Sequence, residues 1–136
     1  IVPGQSAAAT ARSNLMRLRA PAGCAALIGR GHLAVANFGA KVVAARLRAT
    51  FDTPQPIPVF AGVTRITGTI ANYTLTLQPG HATLLKAAAL LAVTGDVEII
   101  SAGRTLIVHN PGKAIATVTI GPKTTKLRPG QTAKLR

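Results

Sequence analysis

Apolar and polar residues alternate along most of this chain, and glycine and proline interrupt the alternation at short intervals. The clearest stretch is 103–136, G-R-T-L-I-V-H-N-P-G-K-A-I-A-T-V-T-I-G-P-K-T-T-K-L-R-P-G-Q-T-A-K-L-R. Its short apolar runs are separated by Asn-Pro-Gly, Gly-Pro and Pro-Gly, which are strong turn signals. Earlier, in 42–51, Ala44, Arg46, Arg48 and Thr50 fall on one side, while Val43, Ala45, Leu47 and Ala49 fall on the other. A period of two is the signature of a half-buried strand. Segments 63–71 and 73–77 alternate likewise, and Thr64, Thr67 and Thr69 add β propensity. With Leu33 and Val35 after a Gly29-Arg30-Gly31 turn, and further strands across 96–101, 105–109, 115–120, 124–127 and 132–135, the pattern predicts about ten short strands.

Three segments read differently. Residues 81–93, H-A-T-L-L-K-A-A-A-L-L-A-V, fit a short helix of good helix formers, or one long or two short buried strands; the strand flanks favour the latter. Pro54, Pro56 and Pro58 exclude a central strand and predict an extended edge or a loop. Residues 1–22 carry Pro3-Gly4 and then Arg12, Arg17 and Arg19 beside Leu15, Met16 and Leu18, with Pro21 stopping any helix. They read as a flexible basic N-terminal arm ahead of a single domain over 23–136.

Two phrases recur. Leu33-Ala-Val35-Ala-Asn37-Phe-Gly39 matches Leu106-Ile-Val108-His-Asn110-Pro-Gly112, and Leu77-Gln-Pro79-Gly80 matches Leu127-Arg-Pro129-Gly130. Each match keeps a constant offset, and the first copy is longer by an insertion that holds the proline-rich connection. Two copies of strand, Asn-x-Gly turn, strand, Pro-Gly turn, strand would each expose an apolar face, and packing one on the other would close a core. The expected fold is therefore an all-β, two-sheet antiparallel β-sandwich with an internal pseudo-repeat. Chance recurrence of common β-rich phrases is the competing explanation, and the sandwich expectation survives it.

Composition sharpens this picture. Of 136 residues, 48% are hydrophobic, with no Trp, one Tyr and three Phe, so the core must be aliphatic. No apolar run approaches the roughly 18 residues of a spanning helix. Sixteen Lys and Arg against three acids (Asp52, Asp96, Glu98) give a formal charge of +13. Such a surface attracts polyanions: nucleic acid, anionic lipid, lipopolysaccharide or an acidic protein. The bases are dispersed, and only 123–136 looks concentrated. Candidate polyanion-binding residues are therefore Arg12, Arg17 and Arg19 in the arm, with Lys123, Lys126, Arg128, Lys134 and Arg136 at the other end.

Catalytic chemistry finds little material. Asp96 and Glu98 share one side of a strand about 7 Å apart, and their turn setting, T-G-D-V-E-I, is typical of a solvated strand start. His32, His81 and His109 lack ligand-like spacing, so no metal, cofactor or catalytic residue is assigned. Cys24, the single cysteine, forms no internal disulfide and reads as a buried thiol. Gly29-Arg30-Gly31-His32 lacks the spacing of a phosphate loop, and Asn72-Tyr73-Thr74 is a chance glycosylation pattern inside a strand. With few aromatics, single-strand stacking is poorly provided for. The first residue is Ile1, without an initiator Met, which fits a processed, exported chain.

The run G-R-T-L-I-V-H-N-P-G-K-A … L-R-P-G-Q-T-A resembles phrases in Ig-like β-sandwich domains of bacterial exported proteins, including the second domain of periplasmic pilus chaperones, and in phage structural proteins. The resemblance covers about the last quarter of the chain and implies the sandwich fold and a scaffolding role; it assigns no functional residue. The expectation is a non-enzymatic structural or assembly subunit of a virion or extracellular appendage, homo-oligomeric and strongly basic. The alternative is a sequence-independent nucleic-acid-binding coat protein.

Overall fold

The computed structural model describes residues 16–29, 31–51, 56–102 and 104–135. Among them the chain forms fourteen strands and no helix. The first half holds β1 (Met16–Arg19), β2 (Cys24–Ile28), β3 (His32–Asn37), β4 (Val43–Phe51), β5 (Ile57–Val59), β6 (Gly62–Thr67) and β7 (Ile70–Leu77). The second holds β8 (Ala82–Lys86), β9 (Ala89–Thr94), β10 (Asp96–Ala102), β11 (Thr105–His109), β12 (Ala116–Ile120), β13 (Lys123–Leu127) and β14 (Thr132–Leu135). All pairings are antiparallel.

A seven-stranded sheet runs β1-β4-β7-β6-β10-β11-β14. The opposite layer is divided into a four-stranded sheet, β13-β12-β9-β5, and a three-stranded one, β2-β3-β8. β3 lies against β7 and β9 against β6, so both small sheets cover the inner face of the large one. The chain itself bridges the seam at residues 87–88, where Ala87 N prolongs the β3–β8 ladder by donating to Gly31 O (2.8 Å) and Ala88 N prolongs the β5–β9 ladder by donating to Val59 O (2.7 Å). The architecture is thus an all-β sandwich.

Alternation decides which side chains enter the core. Along β4, Ala45, Leu47, Ala49 and Phe51 are buried, while Ala44, Arg46, Arg48 and Thr50 face solvent. The resulting cluster is continuous and mostly aliphatic. Its largest side chain is Tyr73, whose hydroxyl donates to the Pro58 carbonyl at 2.7 Å and whose ring meets Phe60 edge-on at 5.3 Å. Pro58 lies in β5, an edge strand of its sheet, where a missing N–H disturbs no second neighbour.

Residues 81–93 form two strands, β8 and β9, rather than a helix. They are only half-buried: Ala82, Leu84, Leu90 and Ala92 face outward, because each strand has solvent on its outer side. Residues 16–19, the end of the segment expected to be an arm, are strand β1 paired with β4; residues 1–15 lie outside the described residues, as do Arg30 and Pro54.

The expectation of one sheet for each copy does not hold. β3 and β8 pair in the three-stranded sheet, but β4 and β7 between them pair in the seven-stranded one. β11 and β14 pair in the seven-stranded sheet, with β12 and β13 in the opposite layer. The reason lies in the turns, which carry the chain through the thickness of the sandwich rather than along a sheet.

Each crossing is organised by a buried asparagine. Asn37 donates from Nδ2 to the carbonyls of Lys41 (2.8 Å) and Leu77 (3.3 Å), and its Oδ1 accepts from Gly39 N at 3.0 Å. Its backbone N–H donates to His81 O (3.1 Å) and its carbonyl accepts from Gly80 N (2.8 Å). Asn110 makes the corresponding bonds, from Nδ2 to Ala114 O (2.8 Å) and Leu127 O (2.9 Å), and to Oδ1 from Gly112 N (2.9 Å). Its backbone likewise joins Gln131 O (3.0 Å) and Gly130 N (2.8 Å). Gly80 (φ 68°) and Gly130 (φ 78°) sit in the left-handed region that the Pro-Gly turns require.

Asparagine suits this position because its amide supplies two donors and an acceptor without charge. Removing it strands buried carbonyls, each at roughly 1–3 kcal/mol. Asn37→Ala and Asn110→Ala are each expected to lower stability by about 3 kcal/mol in urea unfolding. Asn110→Asp should be at least as damaging at neutral pH, because it loses both donors and places a carboxylate beside carbonyl oxygens. That deficit should shrink as the pH falls into the carboxyl range and the group is neutralised.

Burial also raises the Tyr73 phenol well above its ordinary value. The folded chain keeps this proton after the unfolded chain has lost it, so the contribution is complete below about pH 10 and declines above it. Urea midpoints at pH 9 and pH 11 should show a steeper alkaline loss for the parent than for Tyr73→Phe. At pH 8 the Phe variant should be less stable by about 1 kcal/mol through the unpaired Pro58 carbonyl.

Candidate functional site

Two outer faces stand apart from the rest of the surface, one charged and one apolar. The first lies on the seven-stranded sheet where β1, β4 and β7 meet. The period-two pattern of β4 sends Arg46 and Arg48 outward, and both are exposed. β1 pairs with β4 so that Arg19, also exposed, stands directly opposite Arg48. Arg17 occupies the register position opposite Thr50. On the other flank Arg46 pairs with Thr74 and Arg48 with Asn72. The strand geometry sets Arg46 and Arg48 about 7 Å apart along β4 and Arg19 about 5 Å across from Arg48.

The described acids lie farther along the same sheet. One cross-strand row reads Arg19, Arg48, Asn72, Arg65, Glu98 and His109. Arg65 Nη2 donates to Asp96 Oδ2 at 3.1 Å, and Nη1 lies 3.9 Å from Glu98 Oε1. Thr67 Oγ1 donates to Asp96 Oδ1 at 3.1 Å. The hydrogen bond and charge of Asp96, with a smaller part from Glu98, raise the Arg65 pKa against a slight opposing effect of burial. Asp96 and Glu98 therefore act as partners of Arg65. Arg48 is two strand spacings from Arg65, about 10 Å, beyond the ~8 Å screening length of physiological salt. No ion pair among the described residues involves Arg19, Arg46 or Arg48.

The remaining sequence candidates do not gather. Lys126 lies on the four-stranded sheet opposite Thr117, whereas Lys134 lies on the seven-stranded sheet opposite Ile107. Lys123 begins β13, and Arg128 sits in the turn after it. Arg12 and Arg136 lie outside the described residues. Sequence reasoning saw Arg46 and Arg48 on one side of a strand without selecting them. The alternation was the available signal, but the long-range pairing of β1 with β4 that brings Arg19 beside them was not.

The second face is the outer side of β2-β3-β8. One row across it is Leu27, Ala34 and Leu84, and the next is Ala25, Ala36 and Ala82. Leu27 is 53% and Leu84 68% exposed. Two leucine knobs thus rise beside an alanine floor, bounding a trough of about 300 Å³. The row His32–Lys86 closes one end. Phe38, 74% exposed, follows Ala36 beyond the other.

Cys24 is a free, half-buried thiol at the start of β2. His109 Nδ1 and Thr132 Oγ1 are 2.9 Å apart. Among the described residues no three His, Cys, Asp or Glu side chains stand close enough to share a metal ion. No protein-family model, curated protein or solved structure matches the chain.

Proposed function

We propose that this chain is a non-enzymatic structural subunit that assembles with copies of itself, in a virion or an extracellular appendage. The observation that carries the reading is the apolar outer face of β2-β3-β8. The face is smaller than the apolar patches that mark an interaction site by size alone, and it is its shape that favours a second copy. A two-fold axis between the Leu27–Ala34–Leu84 row and the Ala25–Ala36–Ala82 row sets the knobs of each copy onto the floor of the other. The same operation carries the two Lys86 ends to opposite edges of the contact, where they are farthest apart.

Two further features support a scaffold. Matching phrases at matching registers (Leu33 opposite Leu85, and Leu106 opposite Leu135) fit one folding unit used twice in the chain. The paired asparagine crossings tie the two layers together at corresponding points.

Size limits what this face does alone. Three strands by two side-chain rows cover roughly 200 Å², well under the ~800 Å² per partner of a stable dimer. One copy of the contact is therefore weak, and it gains strength when each subunit makes several contacts in one particle. Light scattering and sedimentation over a concentration series, in about 0.5 M salt to screen the repulsion, should show weak, concentration-dependent association. Leu27→Asp/Leu84→Asp should abolish it while leaving the urea midpoint nearly unchanged, since both side chains already face solvent. A parent chain that stays monomeric at millimolar concentration, or a double variant that associates like the parent, overturns the reading.

A further inference from the structure

We infer that the outer face of β1, β4 and β7 is a docking surface for the phosphate backbone of double-stranded nucleic acid, centred on Arg19, Arg46 and Arg48. This inference concerns a different face from the apolar one and stands or falls without it.

Arg19 and Arg48 are directly opposed on neighbouring strands, and like charges in that position destabilise a sheet. Arg46 adds a third positive charge on the same side of β4. In a chain of +13 this repulsion adds to a general one, and the nearest described acids are bound to Arg65 beyond effective range. A bound anion relieves the conflict; nothing described within the fold does.

All three bases are arginines, whose planar forks match phosphate oxygens in pairs, whereas lysine offers only a point charge. Between and beside them stand Thr50, Asn72, Thr74 and Thr76, the side-chain types that supplement arginine in contacts to phosphate and sugar. The pairing of strands on both sides of β4 fixes the backbone from which Arg46 and Arg48 project, so no backbone ordering is needed on binding.

Single strands are held largely by bases stacked on aromatic rings. The aromatic residues of β4 and β7, Phe51 and Tyr73, are turned into the core, and the outward positions of these strands are Ala, Arg, Thr, Asn and Ile. A duplex keeps its bases paired inside and presents phosphates outward, which is the pattern this face serves. Among the described residues of this face no element projects to enter a groove, so the contacts it offers are to the backbone and independent of sequence.

The test compares two triple variants that lose equal charge and keep their stems: Arg19→Gln/Arg46→Gln/Arg48→Gln, and Lys113→Gln/Lys123→Gln/Lys126→Gln. Affinity for a 20-base-pair duplex of arbitrary sequence is measured from 50 to 200 mM salt, beside a single strand of equal length, heparin and anionic lipid vesicles. The arginine variant should flatten the log–log salt slope by about 2 to 3, near 0.9 for each lost phosphate contact, and should weaken duplex binding by more than roughly tenfold. The lysine variant should stay close to the parent, and duplex should bind at least as tightly as single strand. Equal losses in the two variants would show general charge rather than a site. Tighter binding of the single strand, or a loss confined to heparin or vesicles, would assign the face to another class of ligand. Any of these results overturns the inference.

Discussion

The architecture depends on what happens to the backbone where the chain passes from one layer of the sandwich to the other. A crossing at the core's edge buries peptide groups that no sheet ladder reaches, and an unmet carbonyl there costs about as much as a sizeable fraction of net stability. Asn37 and Asn110 solve this with one uncharged side chain each, bonding the carbonyl four residues on and a carbonyl from the strand returning in the opposite direction. Both are essentially inaccessible to solvent. Each amide therefore links two turns that are distant in sequence, and the Pro-Gly turn is held to the Asn turn by a backbone bond pair. The aliphatic core supplies most of the driving force, but it is not directional; the asparagines specify where the strands change layer.

Much of the fold was legible for the same reason. Period-two alternation marks the inward side of β4 correctly residue by residue, and glycine–proline punctuation locates the turns. The edge position of β5 follows from its proline. Legibility stopped at topology. The phrase around Asn37 says that the chain turns; it does not say whether the turn stays within a sheet or crosses between layers, because that depends on Leu77, a partner distant in sequence. β1 was missed because its four residues gain their meaning only from β4. Residues 81–93 looked buried because leucine and alanine signal the interior, yet a strand with one solvated side carries half of them outward.

The candidate surface was less legible than the fold. Concentration of bases along the sequence pointed to 123–136, but a strand distributes successive residues to opposite sides and the Pro-Gly turn after β13 sends β14 to the other layer. Lys126 and Lys134 accordingly lie on different outer faces. Arg19 and Arg48, far apart in the chain, are instead adjacent. Charge density in space follows strand pairing, which composition does not contain. Ser101 shows a different limit: alternation with Val97 and Ile99 places it inward, at a register position corresponding to Ile28 in the β2–β3 hairpin, but its residue type does not, and its hydroxyl is buried with no partner.

The two proposed surfaces lie back to back. The three-stranded sheet lies over the part of the seven-stranded sheet that carries Arg19, Arg46 and Arg48, so the apolar and arginine faces are on opposite outer sides of the same half of the sandwich. Stacked sheets are about 10 Å apart, so copies brought together through Leu27 and Leu84 hold their arginine faces about three sheet spacings, roughly 30 Å, apart. That is several times the ~8 Å screening length of physiological salt, and the two arginine faces do not repel each other directly. The repulsion that association meets is the general one of a chain of +13, which salt or a bound polyanion lowers without touching the apolar contact. Because the faces point in opposite directions, a polyanion along the arginines leaves Leu27 and Leu84 free, and neither surface obstructs the other.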